Sequence, residues 1–115
     1  MDELLYKVLR AAEWRDAKAQ GALAGSADDL RDGFIHLSTR AQLDGTLERH
    51  FAGETGLVVL EIAADRLDPG LKWEPSRGGA LFPHLYGELA LKAVQRVDSL
   101  PLDETGRHSF PRFYC

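Results

Sequence analysis

Apolar residues occur along this chain in short alternating or continuous runs of the kind that form β-strands. Residues 4–10 alternate loosely and include Tyr6 and Val8, residue types that favour strands. Residues 57–62 form a nearly continuous apolar run, which predicts a strand covered on both faces. Shorter runs predict three further strands, at residues 33–37, 71–74 and 93–100.

Two segments of the N-terminal half have the composition and end signals of short helices. Residues 11–20 are rich in Ala, Glu, Lys and Arg and are followed by a glycine, a typical helix stop. Thr39 and Gln42 have the spacing of a capping box, which predicts that a second helix begins there. The segment between these helices begins with residues 22–32, which combine small residues, glycines and aspartates and are predicted to form a loop.

The order of the elements is strand, helix, strand, helix and then several strands with little helix between them. This order predicts an α+β fold with a mostly antiparallel sheet and two short N-terminal helices. At 115 residues the chain has the size of a single domain, with a core over residues 4–100 and a tail over residues 101–115. We expect the aromatic residues of the tail to fold back on the body: Phe110, Phe113 and Tyr114.

The charge balance narrows the classes of partner. The net charge is -4 and the pI about 5.5, which gives no general attraction to polyanions, so we expect no extended nucleic-acid surface. No apolar run approaches the roughly 20 residues of a membrane-spanning helix, and the N-terminus does not resemble a signal peptide. We therefore expect a cytoplasmic protein that does not associate with membranes.

Residues 73–87 differ from the rest of the chain, because they combine two prolines, three glycines, three aromatic residues and several titratable groups. Proline and glycine hold the backbone in an unusual path, and polar groups on a rigid loop are a common way to present a site. His84 and Tyr86 would share a face of an extended segment, and Glu74 lies at its start. The alternative is a structured Ω-loop whose polar groups satisfy one another.

The Arg77-Gly78-Gly79 step in the same segment suits a phosphate group. A guanidinium offers a fork of donors to phosphate, and glycines let a backbone approach a ligand closely. We predict that these three residues contact the ligand.

A second candidate region is the end of the strand at residues 33–37. His36 lies three residues before the helix cap Thr39, and the N-terminus of a helix receives anions well. His36, Ser38 and Thr39 could together line an anion pocket. The alternative is that Thr39 only caps the helix, Ser38 lies in a turn and His36 packs at the end of a strand.

A zinc site built from histidines and a glutamate is a further candidate. The residues available are His36, His84 and His108, but no pair of them has ligand spacing such as H-x-x-x-H. We predict no metal site.

The motif G-F-I-H-L-S-T at residues 33–39, followed by W-E-P-S-R-G-G-A-L-F-P-H-L-Y-G at residues 73–87, resembles the bacterial family called domain of unknown function 952. The resemblance extends from Tyr6 to about Pro111. At a greater distance, this family is similar to proteins of the ADP-ribosyltransferase fold, most of all to the RNA 2′-phosphotransferases that use NAD.

This likeness implies an ADP-ribosyltransferase-like split sheet and NAD as a candidate substrate. Those enzymes carry a "Y-H-G-T" strand and a "V-H-L-S" strand, which are similar to residues 5–8 and 35–38 here. The resemblance therefore marks His36 and Ser38 as site residues. Lys7 stands where the relatives have a histidine that helps hold the nicotinamide ribose.

Three functions are compatible with these residues. The first is an ADP-ribosyltransferase-like enzyme acting on NAD or a phosphorylated nucleotide. His36 would orient a ribose or phosphate oxygen, while Lys7 and Arg77 would neutralise phosphate. Glu74 or His84 would handle protons. The second is a non-catalytic binding module for a nucleotide or another small anionic metabolite, and the third is a protein-interaction domain with a purely structural loop.

Overall fold

Three antiparallel sheets and three α-helices make up the fold in the computed structural model, which describes residues 4–67 and 70–110 except the side chain of Arg77. Short 3-10 turns are formed by Ala64–Arg66, Arg77–Gly79 and Leu91–Ala93. None of the helices in the described ranges is long and apolar enough to cross a membrane. The elements, in chain order, are β1 (Leu4–Arg10), α1 (Ala11–Gln20), β2 (Ala22–Leu23), α2 (Ala27–Asp32), β3 (Ile35–His36), α3 (Arg40–His50), β4 (Leu57–Ala63), β5 (Leu71–Pro75), β6 (Leu81–Leu85), β7 (Leu89–Ala90) and β8 (Val94–Leu100).

The sheets have the strand orders β1-β4-β8, β3-β6-β5 and β2-β7. A bridge between Tyr6 and Ser38 joins the edge strand β1 to the second sheet, with backbone N–H···O distances of 2.8 and 2.9 Å. A cleft beside β1 is lined by residues of both sheets. The predicted α+β class with antiparallel sheets is confirmed.

Strand β4 lies between two hydrophobic clusters. Its residues Leu60 and Ile62 belong to a cluster that includes residues of α1 and β7. Leu57 and Val59 belong to a second cluster with residues of β1 and α3. The predicted burial of this strand on both faces is therefore confirmed, and the sheet β1-β4-β8 is held between helices.

The prediction of a loop over residues 22–32 is wrong, because this segment contains β2 and the helix α2. The side chain of Ser26 accepts a hydrogen bond from the backbone N–H of Asp29, and the Asp29 carboxylate accepts one from the N–H of Ser26. This reciprocal capping starts the helix in a segment of low hydrophobicity. The N-terminal half therefore has three helices, one more than predicted.

The loop predicted over residues 73–87 is instead largely a β-hairpin of β5 and β6, so the alternative of an Ω-loop is also wrong. Proline inside a run of residues is a signal against a strand, since it cannot donate a hydrogen bond to the ladder. Pro83 nevertheless lies in β6, where its carbonyl accepts a hydrogen bond from the N–H of Leu37 at 3.0 Å.

The tail meets the body at Phe110, which packs against the second cluster beneath the guanidinium of Arg40, 4.3 Å from the ring centroid. This agrees with the expected return of the tail aromatics. Phe113 and Tyr114 lie outside the described residues.

Candidate functional site

A cleft of about 420 Å³ is lined by residues of the two larger sheets and of α2 and α3. Small-molecule sites commonly have volumes in this range. Among the sequence-predicted site residues, Lys7, His36, Ser38 and His84 line the cleft. Other lining residues come from β1, α2, α3, and the β5–β6 hairpin and its flanks, including Tyr6, Val8, Arg10, Asp29, Asp32, Thr46, Phe51, Ser76 and Phe82.

The buried carboxylate of Asp29 is the centre of the polar network beside the cleft. Its oxygens lie 2.9 Å from Nζ of Lys7 and 2.6 Å from Nδ1 of His36. It also accepts hydrogen bonds from the backbone N–H groups of His36, at 3.0 Å, and Ser26, at 2.9 Å. Four donors from three parts of the chain thus meet on one carboxylate.

The local sequence explains why Asp29 occupies this place. It is the third residue of α2, so capping by Ser26 fixes its backbone. Gly25, at φ 132°, passes so close that an added Cβ would lie 2.8 Å from Cβ of Asp29. A side chain at position 25 would therefore push Asp29 away from Lys7 and His36.

The surroundings of Asp29 keep its carboxylate charged. Burial by itself raises its pKa, but the hydrogen bond from His36 and the charge of Lys7 outweigh burial and hold the pKa well below its usual range. The buried Lys7 ammonium, which also donates to the carbonyl of His36 at 3.0 Å, is neutralised by this carboxylate. A ligand that contacts Lys7 would therefore meet an ammonium group whose charge is already balanced by Asp29.

His36 lies between two carboxylates. Its Nδ1 contacts Asp29, and its Nε2 lies 3.0 Å from Oδ2 of Asp32. Because a carboxylate only accepts hydrogen bonds, donation to both carboxylates at once requires a proton on each ring nitrogen. The Asp32 side chain is a third exposed, so a ligand could replace it at Nε2.

His84 forms a second imidazole–carboxylate pair, on the β5–β6 hairpin. Its Nδ1 lies 2.7 Å from Oε1 of Glu74, which also accepts a hydrogen bond from the hydroxyl of Tyr86 at 2.7 Å. The hydrogen bonds from Tyr86 and His84 lower the pKa of Glu74, and the bond to Glu74 raises the pKa of Tyr86. Nε2 of His84 has no hydrogen-bond partner in the described part of the chain, and the ring lines the cleft.

The two histidines are brought together by the pairing of β3 with β6, in which His36 stands opposite His84. Their ring centroids are 5.6 Å apart. Phe34 contacts both rings: it stacks on His84 with centroids 4.0 Å apart and lies tilted against His36 at 4.6 Å. The structure thus joins the two separate sequence motifs in one site.

Ser38 and Thr39 have different positions relative to the cleft. The buried hydroxyl of Ser38 lies 2.8 Å from that of Thr46, and both residues line the cleft. The hydroxyl of Thr39 accepts a hydrogen bond from the N–H of Gln42 at 3.2 Å, and Thr39 is outside the cleft lining. Thr39 is held as the cap of α3, which was the simpler alternative for this residue.

The predicted phosphate step at residues 77–79 forms the turn of the β5–β6 hairpin. Gly78 and Gly79 have φ angles of 65° and 83°, a conformation that favours glycine, and neither lines the cleft. The side chain of Arg77 is outside what the structure describes, so its predicted role stays a prediction. Tyr86 is also outside the cleft lining and reaches the site through Glu74.

Residues 4–67 and 70–110 contain no group of three or more histidines, cysteines, aspartates or glutamates that could hold a metal ion. Nε2 of His108 lies 2.9 Å from the backbone carbonyl of Glu54, so this half-buried ring is not simply solvated.

The sequence interpretation missed three residues of the site: Asp29, Asp32 and Phe34. Asp29 carried a usable signal, because Ser26 and Asp29 repeat the cap spacing of Thr39 and Gln42. Asp32 and Phe34 flank the glycine that ends α2, and nothing in their local sequence indicates a contact with His36.

Comparison with known proteins places the chain among proteins without an assigned function. The family model described as "Protein of unknown function (DUF952)" matches residues 8–97. The crystal structure of protein CC0527 from Caulobacter crescentus is similar, with 51% sequence identity, a TM-score of 0.88 and coverage of 92% of this chain and 93% of that chain. The solution NMR structure of CC0527 has 52% identity, a TM-score of 0.81 and 90% coverage of each chain. No functionally curated protein matches the chain at a significant level.

Proposed function

The chain belongs to the DUF952 family of proteins of unknown function, and we propose that it is an ADP-ribosyltransferase-like enzyme acting on NAD or another phosphorylated nucleotide. The observation that carries this proposal is the pair of cleft imidazoles, His36 and His84, each with Nδ1 on a carboxylate. Fixing Nδ1 orients each ring, so that the remaining nitrogen can serve a ligand in the cleft.

His36 binds the ligand in this proposal. Its Nε2 donates to a ribose or phosphate oxygen, which takes the place of the partly exposed carboxylate of Asp32. Asp29 accepts the hydrogen bond of Nδ1 and so orients the ring for this donation, and the Lys7–Asp29 pair supplies a fixed dipole beside the cleft. Arg77 adds the phosphate contact that the sequence predicts for it.

His84 transfers the proton. Its Nε2 accepts the proton of an acceptor hydroxyl or water while the acceptor oxygen bonds to C1′ of the nicotinamide ribose. The glycosidic C–N bond of NAD breaks, and nicotinamide leaves with the electron pair. Glu74 stabilises the resulting imidazolium through its contact with Nδ1.

The test combines binding with turnover. Calorimetric titration with NAD, ADP-ribose and inorganic phosphate measures affinity, and chromatography measures nicotinamide released from NAD. We expect saturable binding of NAD and ADP-ribose, together with nicotinamide release.

Variants separate the two histidines. His84→Gln should lower turnover about 100-fold with nearly unchanged affinity, because it removes general acid–base catalysis. His36→Ala should weaken affinity as well as turnover. His108→Gln is the matched control, since this histidine lies outside the cleft, and it should leave both quantities unchanged.

Each outcome has a definite meaning. Absence of binding to all three compounds would overturn the proposal. Binding without nicotinamide release would overturn catalysis on NAD and favour the non-catalytic binding module, which uses the same residues. Unchanged affinity and turnover in His36→Ala would remove His36 from the mechanism.

A further inference from the structure

The cleft is also lined by the side chains of Arg10 and Phe51, here called the shelf. The guanidinium carbon of Arg10 lies over the ring of Phe51, 4.9 Å from its centroid, and both residues line the cleft. Neither residue belongs to the histidine site. The shelf is therefore a feature that the proposed catalytic roles leave unused.

The guanidinium of the shelf is held in a fixed plane. Nε and Nη2 of Arg10 each lie 2.9 Å from a separate oxygen of Glu54, a two-point contact that orients the whole group. The Arg10 side chain is 50% exposed although one of its faces covers Phe51. The guanidinium plane is therefore pre-oriented, with one face on Phe51 and half of the side chain exposed.

We propose that the shelf binds the aromatic base of a nucleotide, which stacks on the face of the Arg10 guanidinium opposite Phe51. Bases stack favourably on guanidinium planes and aromatic rings. This inference rests on the proposed function and assigns the place in the cleft where the base of the nucleotide binds. Simple sugar phosphates lack the group that the shelf recognises.

The spacing of backbone positions along β1 and α3 suits one nucleotide. Lys7, which contacts the backbone of His36, and Arg10 are three residues apart on β1, so their backbone positions lie about 10 Å apart along the strand. On α3, Thr46 contacts Ser38, and Phe51 follows five residues later, about 7 Å along the helix axis. A base on the shelf therefore leaves the ribose and phosphates of the same molecule within reach of the histidines.

The alternative is that Arg10 and Phe51 have only a structural role, and it leads to a different expected result. Phe51 also packs against the second hydrophobic cluster, and an exposed Arg–Glu pair contributes little to stability. If that were the whole role of these residues, replacing Arg10 by lysine would leave ligand affinity unchanged. Lysine keeps the positive charge but lacks the planar surface, so Arg10→Lys separates stacking from electrostatic attraction.

The experiment compares ADP-ribose with ribose 5-phosphate, which lacks the base, by calorimetric titration of Arg10→Lys, Phe51→Leu and the wild type. Arg15→Lys, on the exposed surface of α1, is the matched control. We expect both shelf variants to bind ADP-ribose about tenfold more weakly, a loss typical of one stacked base, and to bind ribose 5-phosphate as the wild type does. Circular dichroism checks that each variant is folded. If Phe51→Leu does not fold, Arg10→Lys still decides the test, because it alters no core residue.

The results distinguish this inference from the proposed function. Wild-type protein that binds ADP-ribose, with unchanged affinity in Arg10→Lys, would overturn the shelf and leave the proposed function standing. Wild-type protein that binds neither compound would overturn both. Equal losses for ADP-ribose and ribose 5-phosphate would also overturn the shelf, since they would show a general effect on the cleft.

Discussion

The site contains two imidazole–carboxylate pairs of the same chemistry in different surroundings. In the pair of Asp29 and His36 the carboxylate is buried. Only 1% of the Asp29 side chain is exposed, and its carboxylate accepts hydrogen bonds from several donors. Glu74 and His84 reverse this arrangement, because the histidine is buried and 35% of the carboxylate side chain is exposed. The contact distances are nearly equal, at 2.6 and 2.7 Å, so the difference lies in the environment alone.

The difference assigns the two pairs different tasks. The charge of Asp29 is fixed by the neighbouring Lys7 and cannot change without leaving that ammonium uncompensated beside the core. Glu74 is in contact with solvent and accepts hydrogen bonds from both Tyr86 and His84, so it can adjust as His84 gains or loses a proton. The first pair is suited to holding a ligand-binding ring, and the second to moving a proton.

The largest expected effect is on stability. Asp29→Asn should lower the free energy of unfolding by about 3–5 kcal/mol, because it breaks a buried ion pair and leaves Lys7 unpaired. Urea denaturation followed by circular dichroism measures the loss. Glu74→Gln is the matched change in the exposed pair and should give only a small difference. Similar losses in both variants would contradict the contrast between the pairs.

Lowering the pH should also reduce the free energy of unfolding through Asp29, by somewhat less than the Asp29→Asn substitution does. The pKa of Asp29 is lowered in the folded protein, whereas the unfolded chain binds this proton near its ordinary pKa of about 3.9. The stabilisation is therefore fully present above about pH 5 and is lost as the pH falls through the folded pKa, a loss on the order of 2 kcal/mol. Stability curves between pH 6 and about 2 should fall more steeply for the wild type than for Asp29→Asn. Parallel curves would show that Asp29 does not carry this pH dependence.

The smallest effect concerns Phe34, the ring that contacts both histidines. Phe34→Leu removes the stack on His84 and should cost about 1 kcal/mol of stability, the usual value of an aromatic pair. It should also change the imidazole NMR signals of His84 more than those of His36, since the stacked contact is the closer one. A larger change at His36 would contradict the assignment of Phe34 to the His84 side.

The sequence predicted well those parts of the fold that depend on neighbouring residues. The capping box at Thr39 and Gln42 and the apolar run at residues 57–62 each specify an element with local information. The motif at residues 33–39 also led to His36 and Ser38, both of which line the cleft. Resemblance strengthened that inference, since spacing alone left the simpler alternatives open.

The parts that the sequence could not predict depend on tertiary contacts. Asp29 meets Lys7 from 22 residues away, and no local pattern records that contact. The contact between Glu74 and His84 follows from the register of β5 and β6. The sequence pattern did not indicate this register, because two prolines in the segment are signals against strands. The ligand contact predicted for Gly78 and Gly79 stays a prediction, because a hairpin turn needs the same conformational freedom as a close approach to a ligand.

The most direct test of the central claim is an NMR titration of the imidazole ring nitrogens with ADP-ribose. We predict that the Nε2 signals of His36 and His84 shift together along one saturable curve, while the backbone amide signals of β8, on the far edge of its sheet, stay unchanged. Unmoved signals at both histidines, at concentrations that saturate binding elsewhere on the protein, would contradict the account, because the ligand would then occupy another surface.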